Sequence, residues 1–397
     1  MKIAAIIENN INAGGGFTMS VEILLMIQNI AKRNKFDFIV LNYLKKNSQI
    51  LTVLGIEHIN VRDNIFDKFF AFINYSLAGM YIQRILKYKT YLEKILIKKK
   101  VDLVIFTTPS PKPLYLQKIN YGTTVYDICH RDFPEFSEVR EFNIFKLREI
   151  LLANTIGQAV FIITESEELK NKINAIFNKD KERIVVIPNG PSPFLNVKYS
   201  AFDEKFFFEN NNISLPYFFY PAQFWEHKNH IRILQAVKKI ALSGKSVQFV
   251  FCGNDKGNLS FLKKKISELE LNNYIKILGF VNNDELKILY KNCKAVVMPT
   301  YFGPTNIPPL DTWHSRVPLI YSKHLVAQAG EAALLVDVDS TEDVVEAINK
   351  IDDIDIVKEL IKNGDKMITK NIDERLKAED NLEKKILRFK KIKETWS

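Results

Sequence analysis

The chain has 397 residues, of which 47% are hydrophobic and 26% charged, a globular composition that excludes disordered, collagenous and coiled-coil proteins. Its formal net charge of +10 favours an anionic partner. Nucleic acid is not favoured, because we find no zinc-finger spacing, no RNA-binding aromatic motif and no helix with clustered Arg beside turn residues. Phosphate-bearing small molecules or an anionic lipid surface fit the charge equally well.

The cysteines and the N-terminus predict a cytoplasmic protein. Cys129, Cys252 and Cys293 are scattered, without a CxxC pair or a cluster of His at metal-ligand spacing, which indicates a reducing compartment and no structural zinc. The first residues, MKIAAIIENN, lack the apolar stretch and cleavage site of a signal peptide. The longest uncharged run, 69–83, is shorter than the roughly 18–20 apolar residues that a membrane crossing needs.

Short apolar runs alternate with helical patterns along the chain, which is typical of parallel βαβ units and an α/β fold. In the first half, the strand candidates are 2–7, 37–42, 102–107, 122–126 and 159–163. The pattern restarts near residue 215, with candidates at 217–221, 247–252, 274–278, 294–298, 317–321 and 333–336. The sequence therefore predicts two doubly wound domains, whose ligands bind at the carboxyl ends of the strands.

The domain boundaries follow from two changes in composition. Residues 188–216 open with turn dipeptides and close with an Asn run, which predicts the connection between the domains. The tail from about residue 356 is highly charged with apolar residues at helical spacing, which predicts a surface helix with one amphipathic face. We expect an N-terminal domain, a C-terminal domain and a basic C-terminal helix, at residues 1–195, 215–370 and 371–397.

A glycine-rich segment, 11–20 (INAGGGFTMS), lies between the first strand and a helical run. Its three glycines allow positive φ and close approach of a ligand to backbone N–H groups ahead of a helix N-terminus. Phosphate or a sugar hydroxyl could bind there. The alternative is a tight strand-to-helix turn without a ligand.

A polar loop, 125–135 (VYDICHRDFPE), follows the fourth strand candidate. It carries His130 among the acids Asp127 and Asp132, with Arg131 beside them. A His with neighbouring acids can orient a substrate hydroxyl or donate to phosphate. The alternative is that Asp127 caps the next turn and that His130 is solvated.

In the second half, the segment 220–230 (YPAQFWEHKNH) follows the first strand and leads into a helix. Lys228 would reach phosphate oxygens as a mobile point charge, and Asn229 is a candidate helix cap. The alternative is a solvated lysine. The loops after the next two strands carry Gly253 and the pair Phe280 and Val281, which could hold a base.

The most informative stretch is 299–313 (PTYFGPTNIPPLDTW). Residues 305–307 offer consecutive backbone amides ahead of a helix that Pro308 and Pro309 pre-set, so that its first turn could receive a diphosphate. We expect Asp311 in that first turn, where it would accept hydrogen bonds from ribose hydroxyls or only complement the helix dipole.

Taken together and in this order, the motifs resemble the GT-B glycosyltransferases of the large retaining family 4 (glycosyl transferases group 1). The resemblance rests on AGGGF, DICHRDFPE, VIPNG, AQFWEHKN, CGN, ILGFVNNDEL, FGPTNIPPLD and LLVDVDS. It implies two Rossmann-like domains that face each other across a cleft, with the C-terminal helix returning to the N-terminal domain. The C-terminal domain would bind a nucleotide-sugar donor, and the acceptor would enter against the N-terminal domain.

The resemblance also implies roles for single residues. His130 and Asp127, which match a DxxH pattern, and Lys228, which matches the basic residue on the diphosphate, are the catalytic candidates. Arg131 and Asp132 lie on the acceptor side. The donor-binding candidates are Gly15, Gly16, Lys228, Asn229, Gly253, Phe280, Val281, Gly303, Pro304, Thr305, Asn306, Ile307 and Asp311.

The implied activity is retaining transfer of a hexose-type sugar from a nucleotide-sugar, GDP-mannose first, to a glycan in bacterial surface polysaccharide or glycoconjugate assembly. The acceptor would be a glycan on a polyprenyl diphosphate at the inner face of the plasma membrane. No enzymic nucleophile, divalent metal or cofactor is implied. The mixture of aromatic, aliphatic and basic residues in 64–100 fits an anionic membrane surface or, equally, packing against the N-terminal sheet.

Two departures from the family pattern keep an alternative open. Gly303 stands where the family has the first acid of its paired-acid motif, and Gln223 stands where it usually has an Arg. The alternative is a catalytically weak or dead subunit that binds a nucleotide-sugar or glycan and partners an active transferase. An epimerase of similar two-domain shape is less favoured, because it would want more acidic and His residues around the cleft.

Overall fold

The computed structural model describes residues 1–10, 14–73, 81, 85, 89–196, 203–303 and 305–396. Its contacts divide the chain into two units. The first unit contains residues 1–131, 142–189 and 374–397, and the second contains residues 132–141 and 190–373. Each unit has its own parallel β-sheet with helices between successive strands.

The first unit has a seven-stranded sheet in the order β3-β2-β1-β4-β5-β6-β7, and every recorded pair of neighbours is parallel. Residues 3–7 of the first strand are fully buried, as expected for a parallel sheet covered on both faces. The strands are β1 (Lys2–Ile7), β2 (Asp37–Asn42), β3 (His58–Asn60), β4 (Leu103–Phe106), β5 (Asn120–Thr124), β6 (Phe161–Thr164) and β7 (Ile184–Val186).

Two helices of the first half begin at a side-chain cap. The Thr90 hydroxyl accepts a hydrogen bond from the Glu93 N–H at 3.2 Å, and the Ser166 hydroxyl accepts one from the Leu169 N–H at 3.1 Å. The helices are α1 (Gly15–Asn34), α2 (Ser48–Val53), α3 (Ile65–Ile73), α4 (Tyr91–Lys98), α5 (Cys129–Asp132), α6 (Ser137–Arg140), α7 (Ile144–Gln158) and α8 (Glu167–Phe177). Helix α6 belongs to the second unit.

The second unit has a six-stranded parallel sheet in the order β10-β9-β8-β11-β12-β13. Its core is rich in fully buried aromatic rings, including Tyr217, Phe219 and Phe249. The strands are β8 (Tyr217–Pro221), β9 (Phe249–Cys252), β10 (Ile275–Ile277), β11 (Cys293–Met298), β12 (Leu319–Ser322) and β13 (Leu334–Val336).

The helices of the second half lie between these strands and after them. An Asn282–Glu285 capping box begins one of them. They are α9 (Glu204–Asn210), α10 (His230–Leu242), α11 (Leu259–Glu268), α12 (Asn283–Asn292), α13 (Ile307–His314), α14 (Val326–Ala329), α15 (Thr341–Lys350) and α16 (Ile354–Trp396).

Helix α16 is 43 residues long and has residues in both units. Its residues to 373 belong to the second unit and those from 374 belong to the first. In the first unit, Arg375 pairs with Glu22 at 3.0 Å and donates to the Pro188 carbonyl at 2.7 Å, while Leu382 and Ile386 are fully buried. The C-terminal residues are thus built into the first unit by both packing and charge.

The predicted strands are all present, with ends that differ by at most two residues. Two additional strands, β3 and β7, lie at the two edges of the first sheet and have three residues each. A three-residue edge strand is too short to show a hydrophobic period, so its pairing partner decides its structure. No helix of the described residues is long and apolar enough to cross a bilayer.

Each sheet has a topological switch point, the place from which the strand order runs in opposite directions along the sheet. In the first sheet it lies between β1 and β4, and in the second between β8 and β11. Open α/β sheets bind ligands outside the carboxyl ends of the strands at this point. The loops that follow these four strands are therefore the candidate binding loops.

Candidate donor and acceptor sites

In the second unit, the loops at the switch point carry two of the predicted donor residues. Lys228 follows β8, Asn306 follows β11, and the Lys228 Nζ donates a hydrogen bond to the Asn306 Oδ1 at 3.1 Å. These residues are 78 positions apart in the sequence. The atom that accepts this hydrogen bond is a neutral amide oxygen, so this contact does not itself neutralise the positive charge of Lys228.

Both polar atoms of the Asn306 side chain make hydrogen bonds. Its Nδ2 donates to the Gly303 carbonyl at 2.9 Å and to the Tyr321 hydroxyl at 2.8 Å. Gln328 accepts from the Asn306 N–H at 3.0 Å and donates to the Asn306 carbonyl at 2.6 Å. Because its backbone and side chain are both fixed, Asn306 can hold the Lys228 ammonium in one place.

This network corrects one expectation from the sequence. The Asn306 N–H was expected to face a diphosphate, but it already donates to the Gln328 Oε1. The network also explains the glycine at 303, whose φ is +120°. A Cβ there would lie 2.6 Å from the Asn306 Oδ1 and 2.8 Å from its Nδ2, so any larger residue would displace Asn306.

The position of Asp311 differs from the expected one. Helix α13 begins at Ile307, so Asp311 is its fifth residue and lies in the second turn rather than the first. The side chain is buried, and its Oδ1 accepts a hydrogen bond from the Ser192 N–H at 2.6 Å. The carboxylate therefore anchors the segment that follows residue 190, and its predicted contact with a ribose stays a prediction.

The other donor candidates of this unit have local structural roles. Asn229 occupies the N-cap position of α10, but its side chain donates to the Val338 carbonyl at 2.9 Å and does not cap the helix, contrary to expectation. A Cβ on Gly253 would lie 2.4 Å from the Ala222 carbonyl oxygen, so close approach of two loops requires this glycine. Thr305 precedes α13, and the exposed Phe280 and half-buried Val281 follow β10. Pro304 lies outside the described residues.

In the first unit, the glycine motif begins a helix. Gly15 and Gly16 form the first turn of α1, so they do not lie in a loop ahead of it, as the sequence suggested. The Gly16 carbonyl accepts hydrogen bonds from the Asn9 Nδ2 at 2.9 Å and the Tyr126 hydroxyl at 3.1 Å. A Cβ on Gly16 would lie 3.0 Å from the Asn9 Nδ2, which favours glycine at this position.

His130 is fully buried in the same unit, in the short helix α5. Its Nε2 lies 2.7 Å from the Glu149 Oε1, and Arg131 also donates to the Glu149 carboxylate. Burial lowers the pKa of His130, and the nearby Arg148 charge lowers it further. The Arg131 hydrogen bonds hold the pKa of Glu149 below its ordinary value.

These charge states fix the tautomer of His130. An ionised Glu149 can only accept, so the His130 Nε2 carries the proton and its Nδ1 is a lone-pair acceptor. Among the described residues, this buried Nδ1 has no hydrogen-bond partner. The imidazole can therefore accept from a hydroxyl but does not donate to a phosphate through Nδ1.

Asp127 is paired with a cation that the sequence analysis did not include. Its Oδ1 accepts from the Arg148 Nη2 at 2.6 Å and from the Cys129 N–H at 2.9 Å. Burial raises the pKa of Asp127, but the Arg148 charge and these hydrogen bonds outweigh it and hold the pKa below its usual value. Asp127 is therefore an ionised anchor for α7 and not a proton donor.

The sequence did not indicate several residues of these arrangements, among them Glu149, Arg148 and Gln328. Glu149 lies on α7 next to Arg148, a charged pair that looks like any solvated helix face. Gln328 lies in a four-residue helix with no motif around it. The boundary between the two units falls between the acceptor-side candidates Arg131 and Asp132. Only tertiary structure reveals these roles.

The described residues contain no group of three or more His, Cys, Asp or Glu side chains that could hold a metal ion. Metal independence stays a prediction. Two close groups of acids instead make backbone contacts: the Asp337 Oδ1 accepts from the Asp339 N–H at 2.9 Å, and the Asp353 Oδ1 accepts from the Asp355 N–H at 2.9 Å. Both arrangements are turn and helix-start contacts.

Comparison with known proteins agrees with the fold and with a transferase. Residues 201–367 match the model of the family described as glycosyl transferases group 1. Over 265 residues, the chain is 29% identical to the O-antigen chain mannosyltransferase RfbU of Salmonella typhimurium. The aligned residues cover 66% of this chain and 68% of that protein.

Two crystal structures share the fold over nearly the whole chain. A glycosyltransferase from Rickettsia africae has a TM-score of 0.68 at 17% identity, covering 97% of this chain and 98% of that chain. HepE from Anabaena, in complex with UDP-glucose, has a TM-score of 0.70 at 14% identity, covering 96% of this chain and 99% of that chain. We conclude that the chain has the two-domain α/β fold of these two glycosyltransferase structures, and that its residues 201–367 are similar to the glycosyl transferases group 1.

Proposed function

We propose that the chain transfers a hexose-type sugar, with retention, from a nucleotide-sugar to a glycan acceptor in bacterial surface polysaccharide assembly. The observation that carries this proposal is the hydrogen bond of 3.1 Å between the Lys228 Nζ and the Asn306 Oδ1, on the two loops at the switch point. GDP-mannose is our first candidate donor, supported by the name of the Salmonella relative, an O-antigen chain mannosyltransferase. UDP-sugars come next, since HepE binds UDP-glucose.

The role of Lys228 is electrostatic. The acceptor hydroxyl attacks on the face of the leaving diphosphate, whose own oxygen takes the proton, so that no enzymic nucleophile is needed. Cleavage of the bond between sugar and phosphate leaves negative charge on the diphosphate, which the Lys228 ammonium stabilises. Asn306 keeps this ammonium in place without neutralising it.

His130 and Glu149 act on the sugar or acceptor side of this proposal. Glu149 fixes the ring through Nε2, and the buried Nδ1, which has no partner among the described residues, would accept a hydrogen bond from a substrate hydroxyl. Asp127, held by Arg148, positions the start of helix α5 through the Cys129 N–H. This division gives the neutral imidazole a positioning role that needs no change in its charge.

The acceptor that we propose is a glycan on a polyprenyl diphosphate, met at an anionic membrane surface on the cytoplasmic side. Helix α3 supports this part, because Ile65, Phe66 and Phe69 are 77%, 63% and 57% exposed. Large apolar side chains exposed together on one helix suit an interface between water and lipid. The rest of the 64–100 stretch includes residues outside the described ones.

A transfer assay with GDP-mannose and UDP-glucose, with and without EDTA, tests the proposal. Removal of one such transition-state donor costs about 2.7–4 kcal/mol in other enzymes, so Lys228→Ala is expected to lower turnover by roughly 100- to 1000-fold. Lys264→Ala, an exposed lysine on α11, is the matched control and should keep full turnover. Full activity of Lys228→Ala would contradict the proposal. Loss of activity in EDTA that manganese restores would contradict metal independence.

A second candidate function is a weak or inactive partner that only binds the nucleotide-sugar or glycan. Two observations favour it: position 303 carries no acid, and the Asn306 N–H is already used by Gln328. Slow hydrolysis of the donor by the purified protein, seen as release of nucleoside diphosphate, separates the two functions. Release implies a working site, and binding of the donor without release favours the partner.

A further inference from the structure

The segment 132–141 contacts the two donor loops, although the sequence on both sides of it belongs to the first unit. Its Phe133 ring stacks on the Phe302 ring at 5.3 Å between centroids. Its Phe136 ring lies 5.3 Å from the Tyr301 ring and 5.6 Å from the Phe302 ring. These aromatic contacts fasten the segment to the loop that leads to Gly303.

The same segment holds the turn that carries Lys228. Both oxygens of Glu138 are used on this turn: Oε1 contacts the His227 Nδ1, and Oε2 accepts from the Glu226 N–H at 3.0 Å. The Ser137 hydroxyl donates to the Glu226 carboxylate at 2.9 Å. Glu138 is nearly buried, with 10% of its side chain exposed, as is His227. A buried hydrogen-bonded contact of this kind costs more to break than a surface one.

The turn is also fixed from its other sides. The His227 carbonyl accepts from the Tyr301 N–H at 2.9 Å and the Thr300 hydroxyl at 3.2 Å. The Tyr220 hydroxyl donates to the Lys228 carbonyl at 2.8 Å. Glu138 adds contacts to the Glu226 N–H and the His227 ring. Together these contacts restrict the backbone around Lys228, whose Nζ donates to the Asn306 Oδ1.

We propose that Glu138 is a positioning residue for Lys228, supplied to the donor site by the segment 132–141. This inference rests on the proposed function, in which Lys228 binds the donor diphosphate. Glu138 touches neither donor nor acceptor in this role. It lowers the freedom of the turn and so keeps the Lys228 ammonium where the diphosphate binds.

A double-mutant cycle on nucleotide affinity tests the proposal, because it separates an effect through Lys228 from a general structural effect. The dissociation constants of GDP and UDP are measured by calorimetry for wild type, Glu138→Ala, Lys228→Ala and the double variant. We expect Glu138→Ala to weaken binding of the preferred nucleotide by about tenfold and Lys228→Ala by about 10- to 100-fold. In the Lys228→Ala background, Glu138→Ala should change the dissociation constant by less than about twofold.

Two further variants control for folding. Glu138→Gln keeps the side-chain volume but has one acceptor oxygen for two partners, the Glu226 N–H and the His227 ring. It should therefore give an intermediate loss of nucleotide affinity. Glu141→Ala, at the exposed end of the same segment, should bind as wild type does. The thermal unfolding midpoints of all variants are compared at the same pH.

The outcomes distinguish this inference from the proposed function. Unchanged affinity in Lys228→Ala contradicts the proposed donor site and this inference with it. A loss in Lys228→Ala but none in Glu138→Ala overturns the positioning role alone. Equal losses from Glu138→Ala in both backgrounds also overturn it, because Glu138 would then act independently of Lys228.

Discussion

At the scale of single residues, polar side chains in this protein are held by partners that lie far away in the sequence. Asn306 contacts Lys228, Tyr321 and Gln328, and each contact uses a different polar atom or pair of atoms. The motif around residue 306 predicted a donor loop, but not that its side chain would hold the lysine. Partners that approach from other strands leave no periodic signal in the sequence.

His230 gives a residue-scale prediction for stability. It is fully buried among Tyr220, Phe224 and Phe251, and among the described residues neither ring nitrogen has a hydrogen-bond partner. Burial, followed by the charge of Lys228, lowers its pKa from 6.5 to about 3. Because the unfolded chain takes up this proton below pH 6.5 and the folded one does not, stability falls as the pH drops from 6.5 towards 3.

The variant His230→Leu removes this proton uptake. A pH of 5 lies about 1.5 units below the pKa of the histidine in the unfolded chain. The unfolding free energy lost to proton uptake at this pH is therefore roughly 2 kcal/mol. We expect the loss of unfolding free energy between pH 8 and pH 5 to be smaller in His230→Leu than in wild type by about that amount. Urea denaturation at both pH values measures it, and any packing change from the substitution is common to both. An identical loss in both proteins would contradict the assigned burial.

At the scale of elements, the long and strongly apolar strands were predictable, and the short ones were not. All eleven predicted strands occur, while β3 and β7 escaped because three residues show no pattern. Helix α16 was predicted as a surface helix with one amphipathic face, and the burial of Leu382 and Ile386 shows that this face is packed. The amphipathic pattern does not say what covers the face, but the family resemblance implied a return to the N-terminal domain, and residues 374–397 belong to the first unit.

Helix α16 carries the element-scale prediction. The chain offers a matched pair on it, because Leu382 is fully buried and Leu387 is 38% exposed. Large-to-small substitution in a core costs about 2–5 kcal/mol, so Leu382→Ala should lower the free energy of unfolding by that amount, and Leu387→Ala by less than about 1 kcal/mol. Urea denaturation followed by circular dichroism measures both. Equal effects of the two substitutions would mean that this part of α16 is not packed.

For the whole molecule, the fold brings candidate donor residues to the loops at a switch point, and the net positive charge favours an anionic surface. The order of strands in each sheet locates the switch points, and the predicted donor residues Lys228 and Asn306 follow the two strands that flank one of them. Fold and motif thus agree in the second unit. The split of the segment 125–135 between the two units was not predictable, because nothing in its composition marks the change at residue 132.

The membrane proposal is tested at the same scale. With a formal charge of +10 and the exposed rings of Phe66 and Phe69, the protein should sediment with vesicles that contain phosphatidylglycerol, and less so at high salt. The double variant Phe66→Ser, Phe69→Ser is expected to bind at least about tenfold more weakly. Phe261→Ser, a ring on α11 that is 46% exposed, is the control. Equal binding by all three proteins would remove the role of α3.

The position of the donor diphosphate is the central claim about this protein. A crystal structure of the protein with a bound nucleoside diphosphate would show that position directly. GDP and UDP are the two ligands to use, each without added metal. We predict a β-phosphate oxygen within about 3 Å of the Lys228 Nζ, with the Asn306 side chain still against Gly303. A diphosphate bound away from the loops that follow β8 and β11 would contradict the account.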